Sequence, residues 1–500
     1  MRALAACLAL LPALLVAGPE GECYTVIAGR KTTADGSVLV AHNEDDSGDI
    51  VANLRRIAPR TYPGPVRTAL NAGASFEAPA RTLGHLWLEA TTQDFADAFV
   101  NDAGVVLVSN SCPSREKEAD LVEGGIGYLL RRLVAEQATS ARDAVKLAGA
   151  LIAKHGYSGS GRTYSFADRK EAWMLSVVKG RHWVAKRVPD DQVVVIPNHY
   201  ILRDVDLADR ENVLASEGLV AHAQRRGFQD PKAPFDFARS FRAEFKGELV
   251  KDGNTLRQWR GVEKLSGKAW KVDDAFPWSF HPGQPVTPEA LMDLLRDHYE
   301  GTPYDLTEGH RKGTPNASGL RTICTRTTIH ALVAQLRDGV PAPLATRLYL
   351  SLARPDTTVF VPFYASVREL PPGLGFGEGG HDYDRMWREH WLPSTAFPGR
   401  TGLIREAVVE VERAVDVDYG RLAPLVRRDL EGLERSLKAD LVSLEQQVAA
   451  HPAAAQALVD LQAHRAFARL AEVTARVRAQ LKAAPKAPDP SCKDKVCGFE

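Results

Sequence analysis

The sequence lacks an excess of either charge: lysine and arginine together number 63, and aspartate and glutamate also number 63, among 500 residues. Proteins that hold nucleic acid or an anionic membrane surface carry a basic footprint, so this balance argues against both kinds of partner. We therefore expect a small molecule or a peptide as the partner. With 44% apolar and 25% charged residues, the chain is globular in composition and long enough to bury a sizeable core.

Cysteine is scarce, since six residues in a chain of this length are too few for a disulfide scaffold. Cys7 leaves with the predicted leader described below. Two pairs are able to form disulfides after export: Cys112 with Cys324, and Cys492 with Cys497. Cys23 is then left over, and an unpaired thiol in an exported protein is a candidate for reactivity.

Long apolar stretches are missing after the start of the chain, because none approaches the ~20 residues that span a bilayer. Residues 3–17 form a nearly continuous apolar run behind Arg2, which is typical of a signal peptide cleaved near Ala17. A lipid-attachment box at residues 4–7 is a second interpretation, but almost no apolar segment precedes it. We expect a secreted or periplasmic protein with no stable membrane anchor.

Several common catalytic motifs are also missing: the chain has no HExxH zinc motif, no GxSxG nucleophile elbow and no P-loop. Residues 375–380 fit GxGxxG, but they follow two prolines instead of a strand, which indicates a loop. The fourteen histidines show no ligand-like pairing on one element. The sequence therefore predicts no metal site and no cofactor.

The chain from Cys23 to about residue 200 is rich in β-branched runs separated by glycine, aspartate and asparagine, which indicates strands. Between residues 125 and 154, apolar residues recur at helical spacing and predict one helical stretch. Strands and helices in this ratio favour a layered α/β sandwich. The predicted strands are Tyr24–Ala28, 37–41, 104–109, 173–178 and Val193–Ile196.

The rest of the chain divides into an irregular middle, a second β-like segment and a helical end. Residues 204–314 are rich in tryptophan and charge, and residues 321–364 return to β-like runs. Residues 402–484 form a long helical region, which we interpret as a packing extension because strict heptads are not sustained. A partner-binding coiled coil is the alternative.

The residues after the predicted leader carry a more specific pattern. Cys23 precedes a strand, an Asp-Gly-Ser turn follows at residues 35–37, and a second strand leads into His42-Asn43-Glu44-Asp45. This arrangement resembles the dipeptidases of the PepD and secernin group, within the superfamily of penicillin V acylase and conjugated bile-salt hydrolases. In that superfamily a cysteine exposed by processing opens a strand, and a DGS-type turn and an R-x-x-D sequence follow.

The resemblance covers most of residues 23–364 and implies a fold and a domain plan. We expect a four-layer αββα sandwich, the N-terminal-nucleophile hydrolase fold of the α/β (α+β) class, over residues 23–400. The plan adds a signal peptide at residues 1–17, a short propeptide at 18–22, a helical extension at 401–484 and a flexible tail at 485–500.

The chemistry of such a site needs a free amino terminus at the cysteine. An α-amine has a reference pKa of roughly 7.7–8.0, so it can accept the thiol proton near neutral pH. The thiolate attacks an amide carbonyl, and water hydrolyses the resulting acyl-enzyme. A retained propeptide would acylate the amine, so we expect Cys23 to cleave its own bond to Glu22.

By resemblance, Cys23 is the nucleophile and Asp45 positions its amine. The resemblance also implies that Arg239 lies beside the nucleophile, with Arg242 as the alternative if the alignment shifts. Each supporting residue also has a structural alternative, such as capping a turn or ending a strand. The remaining implied residues are Asn110 as an oxyanion-hole donor and Asn198 as a second donor or site organiser.

One position departs from the family pattern, because the arginine of R-x-x-D is His42 here. A histidine is uncharged much of the time near neutral pH, so thiol activation or substrate choice is expected to differ. We place His42, Glu44 and Asp46 at the substrate, where the two carboxylates would read the amino group of a short peptide. The first hypothesis is therefore a dipeptidase.

Two further hypotheses remain. An N-acyl amide hydrolase of the penicillin or bile-salt type would keep the site and change the substrate. A non-catalytic, secernin-like interaction protein would use the C-terminal helices instead. The sequence leaves a homo-oligomer open.

Overall fold

The computed structural model describes residues 23–46, 50, 52–70, 72–92, 97–243, 253–305, 314–317, 320–375, 390–391 and 402–484. The predicted signal peptide, propeptide and tail lie outside these residues, as do Cys492, Cys497 and nearly all of the GxGxxG segment. No helix in the described part of the chain combines the length and apolarity needed to cross a membrane.

Eighteen strands are described. In chain order they are β1 (Tyr24–Ala28), β2 (Val38–Asp45), β3 (Ala52–Ile57), β4 (Arg60–Thr61), β5 (Arg67–Ala69), β6 (Ser75–Glu77), β7 (Arg81–Thr82), β8 (His85–Ala90), β9 (Ala98–Asn101), β10 (Val106–Ser111), β11 (Tyr157–Ala167), β12 (Ala172–Gly180), β13 (Trp183–Arg187), β14 (Val193–Ile196), β15 (Val213–Ala215), β16 (Thr328–Leu336), β17 (Thr346–Ser351) and β18 (Val361–Tyr364).

Nine α-helices are described within the same residues. They are α1 (Leu129–Ala135), α2 (Ala141–His155), α3 (Leu219–Arg225), α4 (Phe237–Phe241), α5 (Gly253–Ser266), α6 (Pro288–Leu295), α7 (Ile404–Asp416), α8 (Tyr419–Ala450) and α9 (Ala455–Ala483). The single helical stretch predicted at residues 125–154 is in fact α1 and α2. The break has a local cause: Ser140 caps α2 by accepting a hydrogen bond from the backbone N–H of Asp143.

Two antiparallel sheets form the centre of the protein. The six-stranded sheet has the order β14-β1-β2-β16-β17-β18, and the eight-stranded sheet has the order β15-β13-β12-β11-β10-β9-β8-β3. Two further two-stranded sheets pair β4 with β7 and β5 with β6. The first sheet places β1 between β14 and β2, so the strand that begins after Cys23 is paired on both sides.

Alternation along the strands of the eight-stranded sheet shows how the layers stack. On β10, Leu107 packs in the apolar cluster that contains α1 and α2, whereas Val106 and Val108 pack in the cluster that contains β1 and β2. Because successive strand residues point to opposite faces, one face of this sheet meets the helices and the other meets the six-stranded sheet.

The outer face of the six-stranded sheet is covered by α5 and α6, which contact β14, β2 and β16. The layers are therefore helices, sheet, sheet and helices, and the predicted mixed α/β class with an αββα order is confirmed.

The C-terminal helices extend the outer layer over β18. Phe363 of β18 lies against Phe467 of α9 with ring centroids 5.5 Å apart, and Tyr364 donates a hydrogen bond to Glu445 of α8 at 2.7 Å. Apolar residues of all three helices belong to the same core cluster as β1 and β2. The region predicted as a packing extension packs on the sheet edge, while its limits at residues 401–484 stay a prediction.

The proposed disulfide between Cys112 and Cys324 is not formed. Both are free, buried thiols, as is Cys23. Cys112 follows β10 in the eight-stranded sheet, whereas Cys324 precedes β16 in the six-stranded sheet, so the two residues belong to different layers.

Candidate active site

Cys23 lies immediately before β1 and faces β2. The β1–β2 register pairs Tyr24 with Asn43, which brings Cys23 beside Glu44 on the neighbouring strand. The Cys23 side chain is 1% exposed, and its Sγ–H donates a hydrogen bond to Glu44 Oε1 at 2.8 Å. The predicted nucleophile is thus held against a buried carboxylate.

A hydrogen-bonded chain continues from this carboxylate to the eight-stranded sheet. Glu44 Oε2 lies 3.0 Å from His42 Nε2, and His42 Nδ1 lies 2.7 Å from the Thr25 hydroxyl. The Thr25 hydroxyl donates to Asn110 Oδ1 at 2.6 Å, and Asn110 Nδ2 donates to the Ile196 carbonyl at 3.0 Å. We call Cys23, His42 and Glu44 the thiol cluster.

The donor and acceptor roles along this series of hydrogen bonds determine which ring nitrogen of His42 carries a proton. Asn110 Nδ2 faces a carbonyl oxygen, so Oδ1 is the acceptor and the single Thr25 hydroxyl proton points to it. His42 Nδ1 must therefore donate to the Thr25 oxygen. A further hydrogen bond then joins His42 Nε2 to Glu44 Oε2 across 3.0 Å.

The surroundings of Cys23 favour the protonated thiol. Burial and the negative charge of Glu44 raise the pKa of Cys23 well above its ordinary value, while Arg162 acts in the opposite direction. Burial also acts to raise the pKa of Glu44, but the hydrogen bond and charge of His42 outweigh it and lower that pKa. The thiol is therefore neutral in this arrangement, beside an ionised acceptor.

Arg162 reaches this region from β11 of the facing sheet. The register of β11 shifts just before it, between Tyr157 and Gly161, and Gly161 has φ of +152°. A Cβ at Gly161 would lie 2.1 Å from the Tyr200 hydroxyl, so only glycine permits this close approach. The irregularity thus places a buried guanidinium near the thiol.

Asp45 points to the opposite face of β2, because side chains alternate along a strand. Its carboxylate accepts hydrogen bonds from Arg257 at 2.9 Å, Arg321 at 3.2 Å and the Thr328 hydroxyl at 2.6 Å. Burial raises the pKa of Asp45 to about 7, against the opposing effect of Arg257. Whether Asp45 also positions an amine on Cys23 stays a prediction.

The helix α5 delivers Arg257 to this face of the sheet. A Cβ on Gly261 would lie 2.0 Å from the Tyr24 hydroxyl, so glycine allows α5 to approach β1 closely. The Tyr24 hydroxyl donates to the Arg257 carbonyl at 3.3 Å. The Arg257 guanidinium also donates to Asn198 Oδ1 at 3.2 Å, which connects the two predicted residues Asp45 and Asn198.

The two predicted asparagines are held by the backbone of neighbouring strands. Asn198 Nδ2 donates to the Ser111 carbonyl at 2.9 Å, next in sequence to Asn110. Each amide group thus uses one N–H on a carbonyl, and a primary amide has two. Their role as oxyanion-hole donors stays a prediction.

Arg239 has no hydrogen bond or ion pair to Cys23 among the described residues, and its place beside the nucleophile stays a prediction. Arg239 lies on α4 with an exposed side chain, and its backbone N–H donates to the capping residue Asp236. The buried arginines of this region are Arg162 and Arg257. The sequence contained one signal for Arg257, because it stands at helical spacing among apolar residues of a segment that we treated as irregular.

The residues predicted to bind the substrate differ in their exposure to solvent. His42 and Glu44 are buried and bonded to each other, so Glu44 contacts the thiol instead of lining an open surface. Asp46, the next carboxylate along the chain, is half-buried.

The thiol cluster also has the donor atoms that a transition metal accepts. One ligand atom each from Cys23, His42 and Glu44 lie within 4.8 Å of one another, and sulfur, nitrogen and oxygen donors together suit Zn²⁺. The sequence analysis did not predict this property.

The sequence is similar to a known peptidase family and to bacterial proteins named as dipeptidases. Residues 22–396 match the model of peptidase family C69. The chain is 28% identical over 381 residues to a probable dipeptidase of Salmonella dublin, covering 73% of this chain and 86% of that protein. It is 26% identical over 391 residues to probable dipeptidase B of Lactococcus lactis, covering 75% and 80% respectively.

Among solved structures, penicillin V acylase from Agrobacterium tumefaciens matches with a TM-score of 0.35 and 13% identity, over 68% of this chain and 85% of that one. The resemblance to the dipeptidase family is confirmed by the family match over most of the chain. The chain belongs to peptidase family C69.

Proposed function

We propose that this protein is an exported dipeptidase that uses Cys23 as its nucleophile after removal of residues 1–22. The observation that carries the proposal is the buried thiol of Cys23, which immediately precedes the interior strand β1 and donates a hydrogen bond to Glu44. Support for the peptide substrate comes from the family and from relatives named as dipeptidases.

The proposed reaction begins with loss of the thiol proton. The freed α-amine of Cys23 accepts that proton, and the sulfur attacks the carbonyl carbon of the peptide bond. The amide N–H groups of Asn110 and Asn198 stabilise the oxyanion, where one donor contributes about 3–4 kcal/mol. The C–N bond then breaks as the amine leaves with the proton, and water hydrolyses the thioester.

Processing would also change the electrostatics of the thiol. Burial and Glu44 keep Cys23 protonated, and an acylated nitrogen offers neither a charge nor a base. A new α-amine adds a proton acceptor, and in its ammonium form a positive charge that favours the thiolate. The proposed cleavage between Glu22 and Cys23 is therefore the step that activates the site.

We assign recognition of the substrate's amino group to Asp46. Glu44 is 2% exposed, whereas Asp46, next to Asp45 in sequence, is half-buried and therefore more accessible to a substrate. A free amino terminus on the substrate is thus expected to matter. Export is proposed on the apolar run at residues 3–17 and is tested by cell fractionation with the native leader.

Intact-mass and N-terminal analysis of the exported protein tests the processing. Wild type and Cys112→Ala, which changes another buried thiol, are expected to begin at Cys23. Cys23→Ala is expected to retain residues 18–22. If wild type retains those residues and still hydrolyses dipeptides, the mechanism is wrong.

A substrate comparison tests the activity itself. Dipeptides are offered beside the same dipeptides with an acetylated amino terminus, and Cys23→Ala is the blank. Hydrolysis of the free dipeptides alone supports the proposal. Preferential hydrolysis of the acylated compounds would replace it with the N-acyl amide alternative.

A further inference from the structure

A second cluster of metal-binding side chains lies away from the thiol cluster. It joins His298, which follows α6, Cys324, which precedes β16, and Asp356, which follows β17. One ligand atom from each lies within 4.8 Å of the other two. The three residues are 1%, 0% and 5% exposed, respectively, so these polar groups are shielded from bulk water.

His298 has one ring nitrogen oriented by a carboxylate and one without a hydrogen-bond partner. Its Nδ1 lies 3.5 Å from Glu300 Oε1, and Glu300 also accepts the backbone N–H of His298 at 2.8 Å. Its Nε2 lies 3.6 Å from Asp356 Oδ2 and has no hydrogen bond to any described residue. A carboxylate that holds the second nitrogen is the usual companion of a metal-bound histidine.

Asp356 is also oriented for binding. Its Oδ1 accepts a hydrogen bond from Arg354 at 2.8 Å, while its Oδ2 accepts a long one from Asn316 Nδ2 at 3.4 Å and lies 3.6 Å from His298 Nε2. Arg354 is in turn neutralised by Asp416 at the end of α7, with N–O distances of 2.9 and 3.0 Å. The guanidinium therefore holds the carboxylate in place without leaving an unbalanced positive charge beside it.

We propose that His298, Cys324 and Asp356 form a buried site for a divalent transition metal ion, with Zn²⁺ as the expected occupant. The donors are one sulfur, one imidazole nitrogen and one carboxylate oxygen, a set that suits Zn²⁺ and not Mg²⁺ or Ca²⁺, which prefer oxygen alone. Binding releases the Cys324 thiol proton to solvent. The thiolate and Asp356 then balance the two positive charges of the ion.

The position of the site gives the ion a structural role. Tyr419, in the first turn of α8, lies against His298 with ring centroids 6.0 Å apart, and Arg354 connects Asp356 to α7. An ion bound here would connect the loops of the six-stranded sheet to the C-terminal helices. Its removal is expected to lower the melting temperature of the whole protein.

The test uses the full chain in a Cys23→Ala background, which removes the thiol cluster as a competing site. The purified protein is stripped with a chelator and titrated with Co²⁺, followed by thiolate-to-cobalt absorption, and with Zn²⁺, followed by melting temperature. We expect uptake of one ion per chain, a cobalt–thiolate band and a higher melting temperature with zinc.

The matched variants are Cys324→Ser and Cys112→Ser, since both residues are free buried thiols. Cys324→Ser is expected to lose the cobalt–thiolate band, and Cys112→Ser to keep it. His298→Gln is a second ligand variant in case serine at 324 prevents folding, and circular dichroism checks both. The proposal is overturned if the folded parent takes up no ion, or if a folded ligand variant binds as the parent does.

Discussion

Replacement of Glu44 by glutamine is expected to lower the pKa of the Cys23 thiol. The carboxylate opposes the thiolate twice, because its charge repels the sulfur and its oxygen accepts the S–H hydrogen bond at 2.8 Å. Glutamine keeps the shape and removes the charge. Arg162 remains in place and continues to favour the thiolate.

Coulomb's law sets the magnitude. Two unit charges about 4 Å apart interact by about 4 kcal/mol at an effective dielectric constant of about 20. One pKa unit corresponds to about 1.4 kcal/mol, which gives a ceiling of about three units. The glutamine dipole and its altered contact with His42 offset part of this, so we expect a fall of about two units.

Thiolate absorbance against pH measures this pKa, with the Cys23→Ala signal subtracted in each background to remove the other cysteines. The rate of alkylation by iodoacetamide near neutral pH is a second measure. Two units raise the thiolate fraction about 100-fold, while intrinsic nucleophilicity falls about eightfold, so the rate is expected to rise about tenfold.

Glu116→Gln is the matched control, because Glu116 is a buried carboxylate that is bonded to His222 at 2.9 Å and is not among the main causes of the shift in the Cys23 pKa. The Cys23 pKa is expected to stay at its wild-type value in this variant. An unchanged or higher Cys23 pKa in folded Glu44→Gln would show that the charge of Glu44 does not raise the pKa of the thiol, and the reasoning would fail.

Three other predictions concern stability and metal inhibition. Arg257→Met leaves the buried Asp45 short of a partner and is expected to reduce the free energy of unfolding in urea by about 3 kcal/mol or more, whereas exposed Arg239→Ala is expected to change it by less than about 0.5 kcal/mol. Micromolar Zn²⁺ is expected to inhibit peptide hydrolysis reversibly through the thiol cluster, and His42→Gln to weaken that inhibition; equal inhibition of both proteins would contradict it. Burial lowers the pKa of His199 to about 3, so the folded state resists protonation and stability falls as the pH drops below about 6.5. The loss at about pH 5 is about 2 kcal/mol, and a His199→Gln protein with the same pH dependence as wild type would refute this.

Runs of β-branched residues correctly predicted several strands. The run Tyr24–Ala28 is β1, and Val193–Ile196 is β14, because β-branched residues favour a buried strand wherever it pairs. Boundaries were less accurate. The strand predicted at residues 37–41 continues to Asp45, which places His42 and Asp45 within β2 instead of after it.

Long-range contacts were the main source of error. Arg257 and Asp45 are 212 positions apart in sequence, and their meeting depends on how closely α5 packs on β1. The resemblance directed attention to Arg239, whose side chain is exposed, and not to the buried Arg257. No spacing rule brings His298, Cys324 and Asp356 together either, because they come from three separate loops.

The sequence by itself determined the family, the position of Cys23 before a buried strand and the alternation that separates Glu44 from Asp45. These follow from residue order and from the two-residue period of a strand. Only the tertiary structure decided which groups surround each face of β2. That choice depends on the second sheet and on α5, which place Asn110 and Arg162 on one side of β2 and Arg257 on the other, and no local pattern contains the packing of separate layers.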